Sequence, residues 1–406
     1  MIPKNISRIL VYTHNSIGLG HVFRTLAVIT GIRKWRPDID FLVLSGTSVP
    51  HILMRKGIEV IKLPGILKAV DEACSPLKPR YLRNLSVDEI LKFRQTVIRE
   101  TFLFFKPNVV MVEHYLSGLS GEIKPFFSEK ASCRGTAKDF ALVHLSRGIM
   151  GEDWNTVRDT DQHNTGAKYS ELYDFRYVFD DPVSIDGDVT RQNMPVRYLG
   201  RIAENNLSEL TDQETVLNRF RLSEKPIILI YISRHGDISG LSNSLMSAIT
   251  TTGLNRKYQI IMVADPYLNP QTIEELKADV HFREVRFLPF FYPLIDLIHA
   301  SEIVICRAGY NIINEILQTD SKALVIPEHH PSGEQEERAR RLPLDNICVL
   351  TEEMVLASPP AHVLCDLIDR KKTALHLNFD KYAIGKTIID DLETWKMSKK
   401  RYDGLT

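Results

Sequence analysis

The 406-residue chain lacks the features that would tie it to a membrane, an oxidising compartment or a polyanion. No apolar run approaches the ~20 residues of a membrane-spanning helix. Residues Met1 to Tyr12 offer neither a long apolar core nor a small-residue cleavage site, so a cytoplasmic location is the expectation. Cysteine is scarce. Cys74, Cys133, Cys306, Cys348 and Cys365 are widely spaced with no Cys-x-x-Cys pair, which argues against a disulfide framework or a Cys-rich zinc site. Without a secretory signal the Asn-x-Ser sequons at Asn5, Asn84 and Asn206 carry no weight. An excess of one charge is also missing: Lys plus Arg is 51 and Asp plus Glu is 51. That balance argues against a nucleic-acid partner. No basic amphipathic helix supports membrane docking, although peripheral contact stays open. Glu328, His329 and His330 lack the spaced partner of a His-Glu-x-x-His site, and no Asp-x-Asp pair is assigned to a diphosphate-bound divalent ion, so no metal is expected.

What is present is the composition of a globular protein with a sizeable core, 44% hydrophobic and 25% charged, and length for two or three domains of ~150 residues. Short apolar runs alternate with segments of helical period. Strands are expected at Arg8–Thr13, Asp40–Leu44, Ile58–Leu63, Val109–Val112, Phe140–Leu145 and Arg176–Phe179, with helices near 22–36, 49–56 and 87–105 between them. Residues 64–84 show no clear period and read as an irregular loop. Residues 201–225 are polar and read as a linker. The pattern then restarts with strands at Ile227–Ile232, Gln259–Ala264, Glu302–Cys306 and Ala323–Ile326, and helices near 241–251, 272–277 and 312–317. The β-α-β-α order predicts two doubly wound parallel sheets. The cluster Arg338, Arg340 and Arg341 reads as a solvated helix face.

Four constellations could carry chemistry. Gly18-Leu-Gly20-His21 joins the first strand to its helix. Two glycines let a ligand approach the backbone, and the helix N-terminus favours anions. A dinucleotide fingerprint would need a third glycine at position 23, which is Phe23, although Asp38 and Asp40 lie where a ribose-binding acid would. His21 stands at the positive end of a helix dipole, which disfavours imidazolium and suits a general base. It reads equally as a capping or packing histidine. Glu113 and His114, at the end of a parallel strand, are candidates to orient His21 or replace it. The second constellation is Cys306-Arg307-Ala308-Gly309, a strand and turn leading to a helix with Asn311 and Glu315 four apart. A carboxylate there can accept from vicinal ribose hydroxyls, though alone it reads as a surface glutamate. In the third, a Pro/Gly-rich loop leads to Glu334 and Gln335, an acid and an amide suited to a polyhydroxylated ligand. The fourth is the loop Ser233-Arg234-His235-Gly236, whose backbone donors could hold a diphosphate.

Taken together these motifs resemble the glycosyltransferases of the GT-B fold, most closely family 28 and the relatives of the bacterial peptidoglycan N-acetylglucosaminyltransferase. Residues 299–342 carry the specific part of the likeness, supported by Gly18-Leu-Gly20-His21 and by Lys106 to Tyr115. The resemblance implies two Rossmann-like domains facing a central cleft. An acceptor domain would span 1–200, a nucleotide-sugar domain 201–380, and a final helix in 381–406 would cross back to the first domain. It implies an inverting, metal-independent transfer of a hexose or N-acetylhexosamine from a nucleotide diphosphate sugar, with UDP as the nucleotide, to an acceptor hydroxyl. No cofactor is implied beyond the nucleotide sugar. The acceptor stays open among a lipid-linked sugar, a polysaccharide and a small natural product. By position, His21 would be the base, Gly20 and Ser233 to Gly236 would meet the diphosphate with Arg307, Ala308 and Gly309, Glu315 would hold ribose beside Asn311, and Glu334 and Gln335 the sugar. The segment containing Arg286 and Phe287 would meet the base. Ser233-Arg-His-Gly lacks the fuller glycine-rich form of the peptidoglycan enzyme. A nucleotide-sugar epimerase or hydrolase of the same fold, or a non-catalytic nucleotide-sugar-binding subunit, are the alternatives.

Overall fold

Near-continuous apolar segments such as Ile9 to Tyr12 and Ile227 to Ile230 cannot leave either face in water, so they form strands buried on both sides. The structure, a computed structural model, describes residues 6–13, 19–68, 77–136, 138–148, 169–181, 195–231, 236–265, 268–290, 292–329, 333–377 and 379–403. The chain divides into two compact units, Met1–Glu204 with Asp380–Thr406, and Asn205–Phe379.

Unit 1 is built on a parallel sheet of seven strands: β1 (Arg8–Thr13), β2 (Asp40–Ser45), β3 (Glu59–Lys62), β6 (Val109–Glu113), β7 (Ala141–Arg147), β8 (Phe175–Phe179) and β9 (Val196–Tyr198). Their order is β3-β2-β1-β6-β7-β8-β9. Two short strands, β4 (Ile66–Lys68) and β5 (Leu77–Pro79), pair antiparallel beside it, within the stretch expected to be irregular. Helix α1 (Gly20–Trp35) follows β1. Helix α2 (Val87–Phe105) is opened by a capping box between Ser86 and Glu89, and α3 (Lys124–Cys133) follows β6.

Unit 2 repeats the plan with six parallel strands: β10 (Ile227–Tyr231), β11 (Gln259–Val263), β12 (Val285–Leu288), β13 (Ile303–Cys306), β14 (Lys322–Val325) and β15 (Ile347–Val349). Their order, β12-β11-β10-β13-β14-β15, is that of a doubly wound nucleotide-binding sheet. Helices α4 (Ile238–Thr251), α5 (Tyr310–Gln318), α6 (Glu334–Arg340) and α7 (Glu352–Ala357) stand at the strand ends that concern the site. The polar stretch 201–225 is not a plain linker. It holds the helix Gln213–Phe220, and Asp296 accepts from both the backbone and the hydroxyl of Thr211.

The last helix, α8 (Lys381–Asp403), belongs to unit 1 and lies along α1. A side-chain carbon on Gly385 would collide with the backbone of Gly31, and one on Gly31 with the Lys381 carbonyl, so the two helices meet backbone to backbone. Trp35 donates to the Tyr382 carbonyl, Arg36 pairs with Glu393, and Trp395 donates to Asp174. No helix among the described residues is long and apolar enough to cross a membrane.

Candidate active site

In doubly wound sheets, ligands bind beyond the strand C-termini where the strand order reverses. In unit 1 that point lies between β1 and β6, which end in register at Thr13 and Glu113. The first turn of α1 stands over this point. His21 Nδ1 is 2.6 Å from Glu113 Oε2, and Arg24 donates to the other carboxylate oxygen. His21 and Arg24 are three apart, hence on one face of α1, and Arg24 Nη2 lies 3.3 Å from His21 Nδ1. Glu113 is fully buried and Arg24 nearly so, whereas the His21 side chain keeps 16% of its exposure. An ionised carboxylate only accepts, so Nδ1 carries a proton, and in the neutral tautomer this contact selects, the lone pair falls on Nε2.

His114 follows with a left-handed backbone (φ 75°), and its ring lies between those of His21 and Tyr115, at 4.9 and 4.1 Å. Its carbonyl is 2.6 Å from Nε2 of His144, a buried residue of β7. Burial, reinforced by the Arg176 guanidinium, pushes His144 down to about 3, so its imidazole is neutral and Nε2–H donates. The loop after β6 is held from beneath in the same manner. Tyr173 Oη donates to the Leu116 carbonyl at 2.5 Å, and Tyr12 Oη accepts from Leu119 N at 3.0 Å. Tyr12 in turn donates to Glu122, which is paired with Arg94, all three buried. Burial and the Glu122 carboxylate raise the Tyr12 hydroxyl well above its ordinary range, so it remains a donor.

In unit 2 the reversal lies between β10 and β13, where Tyr231 and Cys306 end in register. Of the loop after β10, Ser233, Arg234 and His235 lie outside the described residues, as does Gly18 in unit 1. Gly236 is left-handed (φ +81°), and Asp237 caps α4 by accepting from Gly240 N at 2.8 Å. Across the reversal, Arg307 is buried and its Nη1 is 2.8 Å from Glu352 Oε2. Gly309 is the N-cap of α5 and has no side chain to occupy the terminal amides, and that first turn carries no acid. Its φ is −66°, and a side-chain carbon there would meet only Ile312 at an ordinary 3.6 Å, so neither backbone nor packing demands a glycine.

Glu315 and Asn311 are half-buried on α5. Burial, and after it the charge of Glu315, pushes the Cys306 thiol up, which places that carboxylate near the end of β13. Arg338 is not on a solvated face. It is buried, donates to the Ala308 carbonyl at 2.7 Å, and pairs with Glu334. Gln335 is clasped by Glu328: its Nε2 donates to Glu328 Oε2 at 2.8 Å and its Oε1 accepts from Glu328 N at 3.2 Å. The Phe287 ring is partly buried and packs against the core of unit 2 near Phe282. The structure therefore groups Gly20, His21, Glu113 and His114 in unit 1, and Gly236, Arg307, Ala308, Gly309 and Glu315 at the reversal point of unit 2, with Glu334 and Gln335 on the next helix. Among the described residues no group of three or more His, Cys, Asp or Glu is placed to hold a metal ion.

Three contributing residues escaped the sequence reading, Arg24, His144 and Glu352, and a fourth, Arg338, was placed on a solvated face. Arg24 had a signal, its spacing of three from His21. A lone histidine in an apolar strand and an acid in a helical first turn give none.

Residues 241–363 match the glycosyltransferase family 28 C-terminal domain. The UDP-N-acetylglucosamine--N-acetylmuramyl-(pentapeptide) pyrophosphoryl-undecaprenol N-acetylglucosamine transferase of Listeria monocytogenes is 23% identical over 367 residues, covering 88% of this chain and 90% of that protein. The crystal structure of Acinetobacter baumannii MurG matches with a TM-score of 0.56 at 13% identity, over 96% of this chain and 99% of that one. The UDP-GlcNAc 2-epimerase of Neisseria meningitidis, bound to UDP-GlcNAc, matches with a TM-score of 0.62 at 15% identity, over 95% and 100%. The fold is GT-B, and the likeness to family 28 glycosyltransferases read from the motifs is borne out.

Proposed function

We propose that the protein is an inverting, metal-independent glycosyltransferase that moves a hexose or N-acetylhexosamine from UDP-sugar to an acceptor hydroxyl. The observation that carries this reading is the His21–Glu113 pair at the strand reversal of unit 1, a contact through Nδ1 that selects the tautomer in which Nε2 is the basic nitrogen. The family 28 domain in unit 2 supports the nucleotide sugar as donor. In the proposed step the acceptor oxygen attacks the anomeric carbon and its proton passes to His21 Nε2. The bond from that carbon to the diphosphate oxygen breaks, and UDP leaves with the electron pair. One displacement inverts the centre. Glu113 stabilises the imidazolium that forms, and its ion pair with Arg24 holds the buried carboxylate in position to do so.

The developing diphosphate charge is assigned to the amides that open α5. Asp237 already caps α4 and would oppose a phosphate there, whereas the N-cap of α5 is Gly309, which brings no side chain of its own and is a glycine for no reason internal to the protein. Glu315 is assigned to ribose, and Glu334 and Gln335, oriented by Arg338 and Glu328, to the sugar hydroxyls. The acceptor is assigned to unit 1, beside His114 and Tyr115. The listerial relative bears the name of an enzyme with a pyrophosphoryl-undecaprenol acceptor, which supports a lipid-linked sugar as the first class to try.

The test is incubation with a panel of UDP-sugars, with and without lipid-linked and soluble acceptors, in the presence of chelator. Release of UDP only when acceptor is added is the expected result. A 2-epimer or free sugar formed without acceptor would establish the epimerase or hydrolase instead. His21→Ala should lose about 10²–10⁴-fold in turnover while keeping donor affinity. A near-normal rate removes His21 as the base.

A further inference from the structure

The two loops at the strand reversal of unit 2 come from distant parts of the sequence, yet one carboxylate joins them. Glu352, in the first turn of α7, accepts from Asp237 N on Oε1 at 3.0 Å and reaches Arg307 Nη1 with Oε2 at 2.8 Å. Asp237 leads from the loop after β10 into α4, and Arg307 begins the loop after β13. Between them Gly236 lies on the ion pair itself. A side-chain carbon there would be 2.6 Å from Arg307 Nη2 and 2.7 and 2.8 Å from the two Glu352 oxygens, so the backbone rests on the charges with nothing interposed. The left-handed φ of +81° at Gly236 excludes larger residues for a second, separate reason. Arg307 is almost wholly buried and the Glu352 side chain keeps only 17% of its exposure, so the pair is shielded from salt and fixed in place. Ser244 Oγ donates to the Val355 carbonyl, which fastens α7 along α4.

We propose that Glu352 is a positioning residue of the donor site: by tying Gly236 and Asp237 to Arg307 it fixes the start of the loop after β13, so that the amides opening α5 stay aimed at the donor diphosphate. This role presupposes the donor reading above. It predicts a phosphate-specific defect. Uridine, which has the base and ribose but no phosphate, does not use the α5 amides, whereas UDP does.

Calorimetry with UDP and with uridine, on the full-length protein and on Glu352→Ala and Glu352→Gln, tests it. In Glu352→Ala, UDP affinity should fall about 10- to 100-fold, the loss that follows one charge-assisted contact, with uridine affinity unchanged. Glu352→Gln should be intermediate, because its amide oxygen still accepts from Asp237 N while the charge facing Arg307 is gone. Should Glu352→Ala fail to fold, Gly236→Ala pushes the same loop off the same ion pair and should show the same selective loss. UDP affinity that is unchanged or tighter overturns the proposal, tighter binding meaning that Glu352 competes with phosphate for Arg307. An equal loss for UDP and uridine also overturns it, by reducing Glu352 to a general structural role. If the unaltered protein binds no UDP, the donor reading falls and this inference with it. If the unaltered protein binds UDP and both variants bind it equally well, this inference falls alone.

Discussion

A histidine that stays neutral is a dependable donor, and its stability has a pH signature. His144 is held at about 3 in the folded chain against an ordinary 6.5. Above pH 6.5 both folded and unfolded chains leave it neutral, and its contribution is intact. Below 6.5 the unfolded chain takes up a proton that the folded chain refuses until about 3, so stability is lost as pH falls through that window. His144→Gln keeps an N–H for the His114 carbonyl and does not titrate. The melting temperature of the unaltered protein should therefore fall more steeply between neutral and weakly acidic pH than that of His144→Gln, and equal slopes would remove His144 as a source of acid sensitivity. At this scale the sequence was legible where chemistry and spacing coincide. His21 stood out beside Gly20 at a strand-to-helix turn, and Glu113 at a strand end. Glu352 was not legible, because an acid in a helical first turn already has a sufficient reason to be there in the helix dipole. Nor was Gly236 distinguishable from any loop glycine, since its requirement comes from charges 71 and 116 residues further on.

Helices that carry a site must themselves be held, and α1 is held by α8. Their contact at Gly31 and Gly385 leaves no room for a methyl group, and the atoms in the way are backbone. Gly385→Ala would gain ~1 kcal/mol of helix propensity if the position were open. Here the overlap should outweigh that gain, costing about 1–3 kcal/mol or more. A fall in melting temperature of ~2–4 °C per kcal/mol is the expected outcome, and a rise would show that the helices part freely. The long elements were readable because their periodicity is long. β1 and α2 match their expected limits, α1 differs only at its ends, and β10 matches through Tyr231, the expected Ile232 lying outside the described residues. The misses are short and lateral. β9, β12 and β15, of three or four residues, are sheet margins, and β4 and β5 are three-residue strands stabilised by each other. Three residues carry no measurable alternation, so such strands exist only through their neighbours. The helix Gln213–Phe220 was hidden by composition: it buries only Val216, and five of its eight residues are polar, which reads as a linker.

At the scale of the whole molecule, the chain leaves unit 1 after Glu204 and returns to it at Asp380. Both chain ends therefore belong to unit 1. The points of departure and return are fastened within that unit, where the buried Lys381 ammonium donates to the Glu204 carbonyl. Unit 1 has its own core, from Leu10 and Tyr12 through Val110 and Val112 to Phe126 and Tyr173. Replacing residues 205–379 by a short Gly/Ser linker should yield a protein that folds cooperatively, with near-native circular dichroism and a single melting transition. A molten or aggregated product would show that unit 1 depends on unit 2 for its stability.

The Lys381–Glu204 pin also bears on how such a protein can change over generations. A segment whose two ends are tied together by the host can be exchanged as one cassette, through two recombination points and with no rearrangement of the host's helices. With the donor in unit 2 and the acceptor in unit 1, as proposed above, sugar choice could then be inherited separately from acceptor chemistry. A lineage could acquire a new donor in one event while keeping His21, Glu113 and their setting intact, and the signature of such an event would be two abrupt changes of ancestry, one near residue 204 and the other near residue 380.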